Sequence, residues 1–201
     1  MKKYELTTDS MVEFGRKLSR IRALFSFGDV KEGDIGGYVE SEKNLSQDGN
    51  AWVCGNARVY GNARVCGNAR VYGDAQVYGN ARVCGDAQVC GNARVYGDAW
   101  VYGDAQVCGN AEVYGDAQVY GNAEVYGNAE KTPIQIGGLQ YQVTITDAHI
   151  KIGCKFYTTN EWDSFDDRRI LEMDGKSALK FWQEHKETII KLARFHQGNE
   201  E

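Results

Sequence analysis

The sequence predicts a mainly β protein built as a parallel β-helix, a triangular solenoid of about five coils with an N-terminal cap and a small α+β C-terminal cap. Three observations carry this prediction. From Ala51 the chain reads A-x-V-[YC]-G-[ND] with almost no deviation, and thirteen valines recur at six-residue intervals from Val53 to Val125. There are 24 glycines but a single proline and no Gly-X-Y period, so the glycine serves regularly placed turns rather than a linker or a collagen-like helix. After Lys131 the period stops, and alternating and then helical patterns replace it. The resulting division is residues 1–44 for the cap and approach, 45–131 for the solenoid and 132–201 for the C-terminal module.

A bare solenoid end would expose unpaired strand edges and the valine core, so both ends need covering. At the front, Tyr4 to Phe27 precedes the glycine-rich stretch DVKEGDIGGYVESEKNLSQDGNAWV, in which Val39 and Leu45 are expected to fill the core before the strict register begins.

Within each hexapeptide, Ala and Val lie two apart and face the same side of an extended strand, while x and the Tyr or Cys face outward. Gly-Asn and Gly-Asp tolerate left-handed backbone and make the corners, where the amides can ladder from coil to coil. Three hexapeptides, about 18 residues, close one coil, and a stacking distance of about 4.8 Å makes the prism roughly 25 Å long.

Folding at this period sorts the outward residues onto three faces. One carries Tyr60, Tyr78, Tyr96 and Tyr114 in unbroken register, flanked by Arg58, Gln76, Arg94 and Glu112. A second carries Cys54, Tyr72, Cys90, Cys108 and Tyr126, flanked by Trp52, Arg70, Gln88, Gln106 and Glu124. The third carries Cys66, Cys84, Tyr102 and Tyr120 with Arg64, Arg82, Trp100 and Gln118. Tyr, Trp and Arg are the side chains enriched at interface hot spots, so Tyr60, Tyr78, Tyr96, Tyr114, Arg58, Arg94, Trp100 and Tyr102 are the candidate partner-binding residues. Charge also runs along the axis: Asp48 to Tyr96 is net +2, whereas Gly97 to Glu130 is net -6. Such a dipolar rod can orient a partner or pair with its own copy, and a homo-oligomer is expected.

With 23 Lys and Arg against 28 Asp and Glu, the net charge of -5 offers nucleic acid no electrostatic footprint. The start has two lysines but no apolar run of signal-peptide length, and no segment could span a bilayer, so a cytoplasmic protein without a membrane partner is expected. Five of the six cysteines occupy one repeat slot, and free thiols are expected of them. Cys66 and Cys84, and likewise Cys90 and Cys108, would stack one coil apart, but no histidine accompanies them, so no metal is expected.

Beyond the solenoid, Ile134 to Tyr157 reads as short strands. Thr158 and Glu161 form a capping box for a helix carrying Trp162, Phe165, Ile170 and Leu171. After Asp174-Gly175 a second helix aligns Ala178, Phe181, Trp182, His185, Ile189 and Leu192 on one stripe. The charged run Asp166 to Arg169 reads as a solvated face, and Cys154 with His149 lacks the third, orienting group of a nucleophile site.

The repeat resembles the left-handed β-helix hexapeptide family. Asp29, Val30, Lys31, Gly33, Gly36, Gly37, Val39, Leu45, Ser46 and Gln47 make the approach segment similar to that of YdcK-type proteins of bacteria and their prophages. The resemblance implies a left-handed parallel β-helix. Hexapeptide acyltransferases use a histidine as general base, yet His149, His185 and His196 all lie outside the solenoid. The segment TDAHIKIGCKFYTTNEWDSF resembles a C-terminal module of phage and prophage repeat proteins. Together these imply a non-catalytic phage- or prophage-encoded binding protein of the bacterial host cell, without cofactor. Its expected partner is a host protein or its own copy, with inhibition of a defence system such as CRISPR as one role. An acyltransferase and a nucleotide-sequestering protein are the alternatives.

Overall fold

A computed structural model describes residues 2–126, 129 and 131–198. Glu130, part of the acidic stretch, lies outside the described residues, as do Gly127 and Asn128 of the last repeat. The chain divides into two compact units, Met1–Thr132 and Pro133–Glu201.

The first unit is a β-solenoid of about five turns. Each hexapeptide contributes a two-residue strand, from β4 (Trp52–Val53) to β16 (Glu124–Val125). Strands one turn apart pair parallel and in register, so Arg58 aligns with Gln76, Gln76 with Arg94 and Arg94 with Glu112. Gln88 likewise lies between Arg70 and Gln106, and Trp100 between Arg82 and Gln118. Each turn donates its backbone N–H groups to the next, as Arg82 does to Ala99 O at 2.9 Å and Cys84 to Val101 O at 2.9 Å. The Ala and Val of every repeat are buried, forming the single stacked core that no isolated turn could make.

Corner geometry explains the glycine. Gly85 has φ +73°, and a Cβ there would meet the backbone N and O of Gly103 at 3.0 and 3.1 Å. The neighbouring amides do ladder, with Asn62 Nδ2 donating to Asn80 Oδ1 at 3.0 Å and Asn80 Nδ2 to Asp98 Oδ1 at 2.9 Å.

The front of the solenoid is sealed by three strands, β1 (Tyr4–Glu13), β2 (Arg16–Ala23) and β3 (Ile35–Val39). The first two form an antiparallel hairpin, β2 pairs antiparallel with β3, and β3 pairs parallel with the Arg58 strand. The hairpin thereby joins the same seven-stranded sheet that carries the tyrosine face. Val39 pairs with Val59 and Leu45 with Val65, both buried, as expected of core residues ahead of the strict register. Gly36 and Gly37 lie so close to the first turn that a Cβ would meet Val53 O and Ala57 O, each at 2.6 Å, which explains the paired glycines of the approach.

Backbone acceptors at this end find side-chain donors. Lys3 Nζ donates to Gly49 O at 3.2 Å and Ala51 O at 3.0 Å, and the buried Tyr4 hydroxyl donates to Leu45 O at 2.7 Å. Asn44 Nδ2 donates to Gly61 O at 3.0 Å and Ala63 O at 2.9 Å. Burial pushes the Lys3 ammonium down to about 8 despite the opposing charge of Asp48.

Two expectations need correction in this unit. Trp52, read as an outward residue, is buried because the cap covers the second face at the first turn; its ring meets Phe27 at 5.5 Å and Tyr4 at 6.4 Å between centroids. The thiols of the third and second faces are also not all free: Cys66 is bonded to Cys84 and Cys90 to Cys108. Parallel stacking sets each pair's Cα atoms 4.7 Å apart, inside the span that a disulfide bridges without backbone movement. Cys54 and Cys154 are free.

The second unit is an antiparallel meander of β17 (Ile134–Ile136), β18 (Val143–Ile145), β19 (His149–Ile152) and β20 (Lys155–Thr158), followed by α1 (Thr159–Ser164) and α2 (Asp167–Gln197). The capping box forms as expected, with Glu161 N donating to Thr158 Oγ1 at 3.2 Å and Thr158 N to the Glu161 carboxylate at 2.8 Å. The Thr158 hydroxyl and amide hold the Glu161 carboxyl below its ordinary range. The helix expected to continue through Leu171 instead breaks at Phe165, because Asp166 caps a new helix by accepting from Arg169 N at 2.8 Å. The expected interruption is present at Asp174 and Gly175, the latter at φ +67°. Val143, Ile145, Ile150, Trp162, Phe181, Trp182 and Ile189 form this unit's own core. Among the described residues no helix is long and apolar enough to cross a membrane.

Candidate interaction surface

In-register strands stack the tyrosine rings. Tyr60, Tyr78, Tyr96 and Tyr114 lie nearly parallel, with successive centroids 5.1, 4.9 and 5.3 Å apart. The turn-to-turn spacing imposes this separation, and the offset suits the ring quadrupoles. The hydroxyls reach the x residue one turn on: Tyr60 donates to Gln76 Oε1 at 3.3 Å and Tyr96 to Glu112 Oε2 at 3.3 Å. Burial, then for Tyr60 the neighbouring Tyr78 and for Tyr96 the Glu112 charge, pushes both phenols up to about 12.

The front hairpin divides this ladder. Tyr60 is only 7% exposed, and both Glu13 carboxylate oxygens accept from Arg58 Nη1 at 2.7 Å. These two residues serve the junction between the cap and the solenoid. Tyr78, Tyr96 and Tyr114 are half-buried, and Arg94 is exposed, 3.3 Å from Glu112. Beside them stands the hairpin tip, where Phe14 is 84% exposed and held at φ +48°. Phe14, Arg16, Glu40, Tyr78, Asn80 and Arg94 border an open groove of about 860 Å³.

Trp100 and Tyr102 are not brought to this groove. They belong to the third sheet, where the Arg82 guanidinium lies 4.7 Å above the Trp100 ring and Tyr102 stacks on Tyr120 at 5.5 Å. Every x residue of that face, Arg64, Arg82, Trp100 and Gln118, is exposed. Of the eight candidates, Tyr60, Tyr78 and Arg94 line the groove, Arg58 is held by Glu13, Tyr96 and Tyr114 continue the ladder beyond the groove, and Trp100 and Tyr102 belong to another sheet.

Phe14, Arg16 and Glu40 were not legible as site residues, because nothing in a non-repeating segment shows which solenoid face it joins. The Phe14-Gly15 dipeptide between two strand-like runs signals a turn, though not its destination.

Two of the histidines pack on aromatic rings. His149 stacks on Phe156 at 4.6 Å, with burial lowering its pKa, and His185 packs on Phe181 at 4.7 Å. Among the described residues no group of three or more His, Cys, Asp or Glu could hold a metal ion. The groove presents aromatic and charged side chains, among them Phe14, Tyr78, Arg16, Glu40 and Arg94.

No curated protein matches the chain. The family model described as YdcK Beta solenoid repeat matches residues 51–64, 63–75, 75–88, 87–103, 105–121 and 117–129, so the likeness rests on the repeats and not on the approach segment or the second unit.

Proposed function

We propose that this protein is a non-catalytic repeat scaffold that binds a protein partner along the groove between the hairpin tip and the tyrosine ladder. The carrying observation is Phe14, a large aromatic side chain 84% exposed on left-handed backbone. Neither feature favours the isolated fold, since positive φ is costly for a bulky residue and exposed aromatic surface gains nothing from water. Its neighbours supply what a hot spot uses: half-buried tyrosines that lose little entropy on binding, and the exposed Arg94. The coils contain no histidine, so an acyltransferase reading lacks its base there.

The likeness of the C-terminal segment to modules of phage repeat proteins supports a phage or prophage origin, and a cytoplasmic defence complex such as a CRISPR effector as the partner. A second copy of the chain is the other partner to test. The experiment is affinity capture from a bacterial lysate followed by native mass spectrometry, with the wild type and the double variant Phe14→Ser, Tyr78→Ser. Both side chains are at least partly exposed, so the variant retains the wild-type circular dichroism and loses the captured protein or the homo-oligomer. Equal capture by a folded double variant would refute the assignment of this surface.

A further inference from the structure

On two faces of the solenoid every arginine has a carboxylate. Arg58 is held by Glu13 and Arg94 lies 3.3 Å from Glu112 on the first face, and Arg70 pairs with Asp29 on the second. Arg64 and Arg82, both exposed on the third face, have no carboxylate partner among the described residues. The front cap accounts for the difference, since its hairpin supplies Glu13 and its Gly28-Asp29 turn supplies Asp29, and neither reaches the third face.

This uncovered face is polarised along the solenoid axis. Its first two rungs carry Arg64 and Arg82, and its last two carry Trp100 and Gln118. The corner just before these residues runs Asn62, Asn80, Asp98, Asp116. The Asp98 carboxylate accepts from Asn80 Nδ2 at 2.9 Å, and neither Asp98 nor Asp116 has a cationic partner among the described residues. Trp100 is 42% exposed and Tyr120 40%, so the acidic half also presents aromatic surface.

We propose that this face pairs with the same face of a second copy, the two solenoids running antiparallel about a two-fold axis that lies along the strands, between the Arg82 and Trp100 rungs. That operation sets the four rungs against each other in reverse order. Arg82 meets Trp100 of the second copy, extending across the interface the contact that it makes with its own Trp100 at 4.7 Å. Arg64 comes level with Gln118 and Asp116 of the second copy, and Arg82 with Asp98, so each unmatched arginine gains a carboxylate. A parallel pairing would instead set Arg64 level with Arg64, Arg82 with Arg82 and Asp98 with Asp104, so charge selects the antiparallel one. A like-charge meeting, Asp86 with Asp104, falls at the opposite corner, where water screens it. Four rungs about 4.8 Å apart make a patch smaller than the roughly 800 Å² per partner of a standard interface, so the association is weak and weakens further with salt.

Sedimentation velocity of the unreduced full chain at low salt, from micromolar to millimolar concentration, tests this by the conversion of monomer to dimer. Trp100→Ser should weaken the dimer at least about tenfold, and Arg64→Glu or Asp116→Lys alone about fivefold. The combined exchange Arg64→Glu with Asp116→Lys should return it to within about twofold of wild type. These two residues lie three turns apart within one chain, so only the antiparallel register brings their charges together. All three side chains are exposed, and an unchanged circular dichroism spectrum confirms that each variant folds. Phe14→Ser with Tyr78→Ser should dimerise as wild type does, which separates this face from the groove. Monomer at every concentration, a dimer indifferent to Trp100→Ser or a charge exchange that restores nothing overturns the pairing. Loss of the dimer in the groove variant overturns it too, by placing self-association on the groove.

Discussion

Cutting the two cross-turn disulfides should weaken the solenoid by an amount set by loop length. Cys66–Cys84 and Cys90–Cys108 each close a loop of 18 residues in sequence, and the two loops do not overlap. Chain-entropy reasoning gives about 3 kcal/mol for a loop of this length, so the pair contributes about 6 kcal/mol in that picture. Because solenoid stability is nearly a sum of neighbouring-turn terms, each staple chiefly protects the turns that it joins. The reduced protein should therefore unfold at lower urea over a broader transition, and Cys66→Ser with Cys84→Ser should reproduce about half of the shift. Urea titrations by circular dichroism, with and without a phosphine reductant, measure this. A thiol count on the unreduced, denatured protein comes first and should find only Cys54 and Cys154 reactive. Six reactive thiols in protein kept from reductant would refute the cross-links, and coincident curves for oxidised and reduced protein would refute the energetic argument.

Further outcomes follow from the same geometry. Gly91→Ala places a Cβ 3.0 Å from the backbone N of Gly109 at φ +68°, so it should cost about 2 kcal/mol or more in urea titrations. Gly15→Ala meets nothing within 4 Å at φ +75° and should cost only the conformational part, about 1 kcal/mol. Tyr60 and Tyr96 keep their protons up to about 12, while an unfolded phenol titrates near its ordinary value of about 10. Their stabilising contribution is complete below pH 10 and is lost as the pH climbs from there toward 12, which tyrosinate absorbance and the urea midpoint should both follow. Lys3 acts in the opposite direction, since its folded value of about 8 lies below that of the unfolded chain. The unfolded state then holds more protons between pH 8 and about 10.5, so wild type should gain stability relative to Lys3→Met across that window. Removing the Thr158 cap with Thr158→Ala should destabilise the second unit by about 1 kcal/mol in thermal unfolding and leave solenoid strand signals unchanged.

Periodicity alone determined the solenoid. Six-residue spacing of Val behind Ala dictates which side chains turn inward, and parallel pairing one turn on dictates that Tyr60, Tyr78, Tyr96 and Tyr114 share a face. Both follow from local geometry repeated without interruption, as do the corner glycines and the amide ladder. The capping box at Thr158 and the interruption at Asp174-Gly175 were legible for the same reason, being set by residues adjacent in sequence.

What only the tertiary structure decided depends on segments without a repeat. The destination of the hairpin buries Trp52 and Tyr60, commits Arg58 to Glu13 and brings Phe14 beside Tyr78, because side-chain alternation specifies a strand but not its partner. The period already stacked Cys66 on Cys84 and Cys90 on Cys108 but did not decide their bonding, because the same spacing serves free thiols equally; the split at Phe165 rested on Asp166 competing as a second cap.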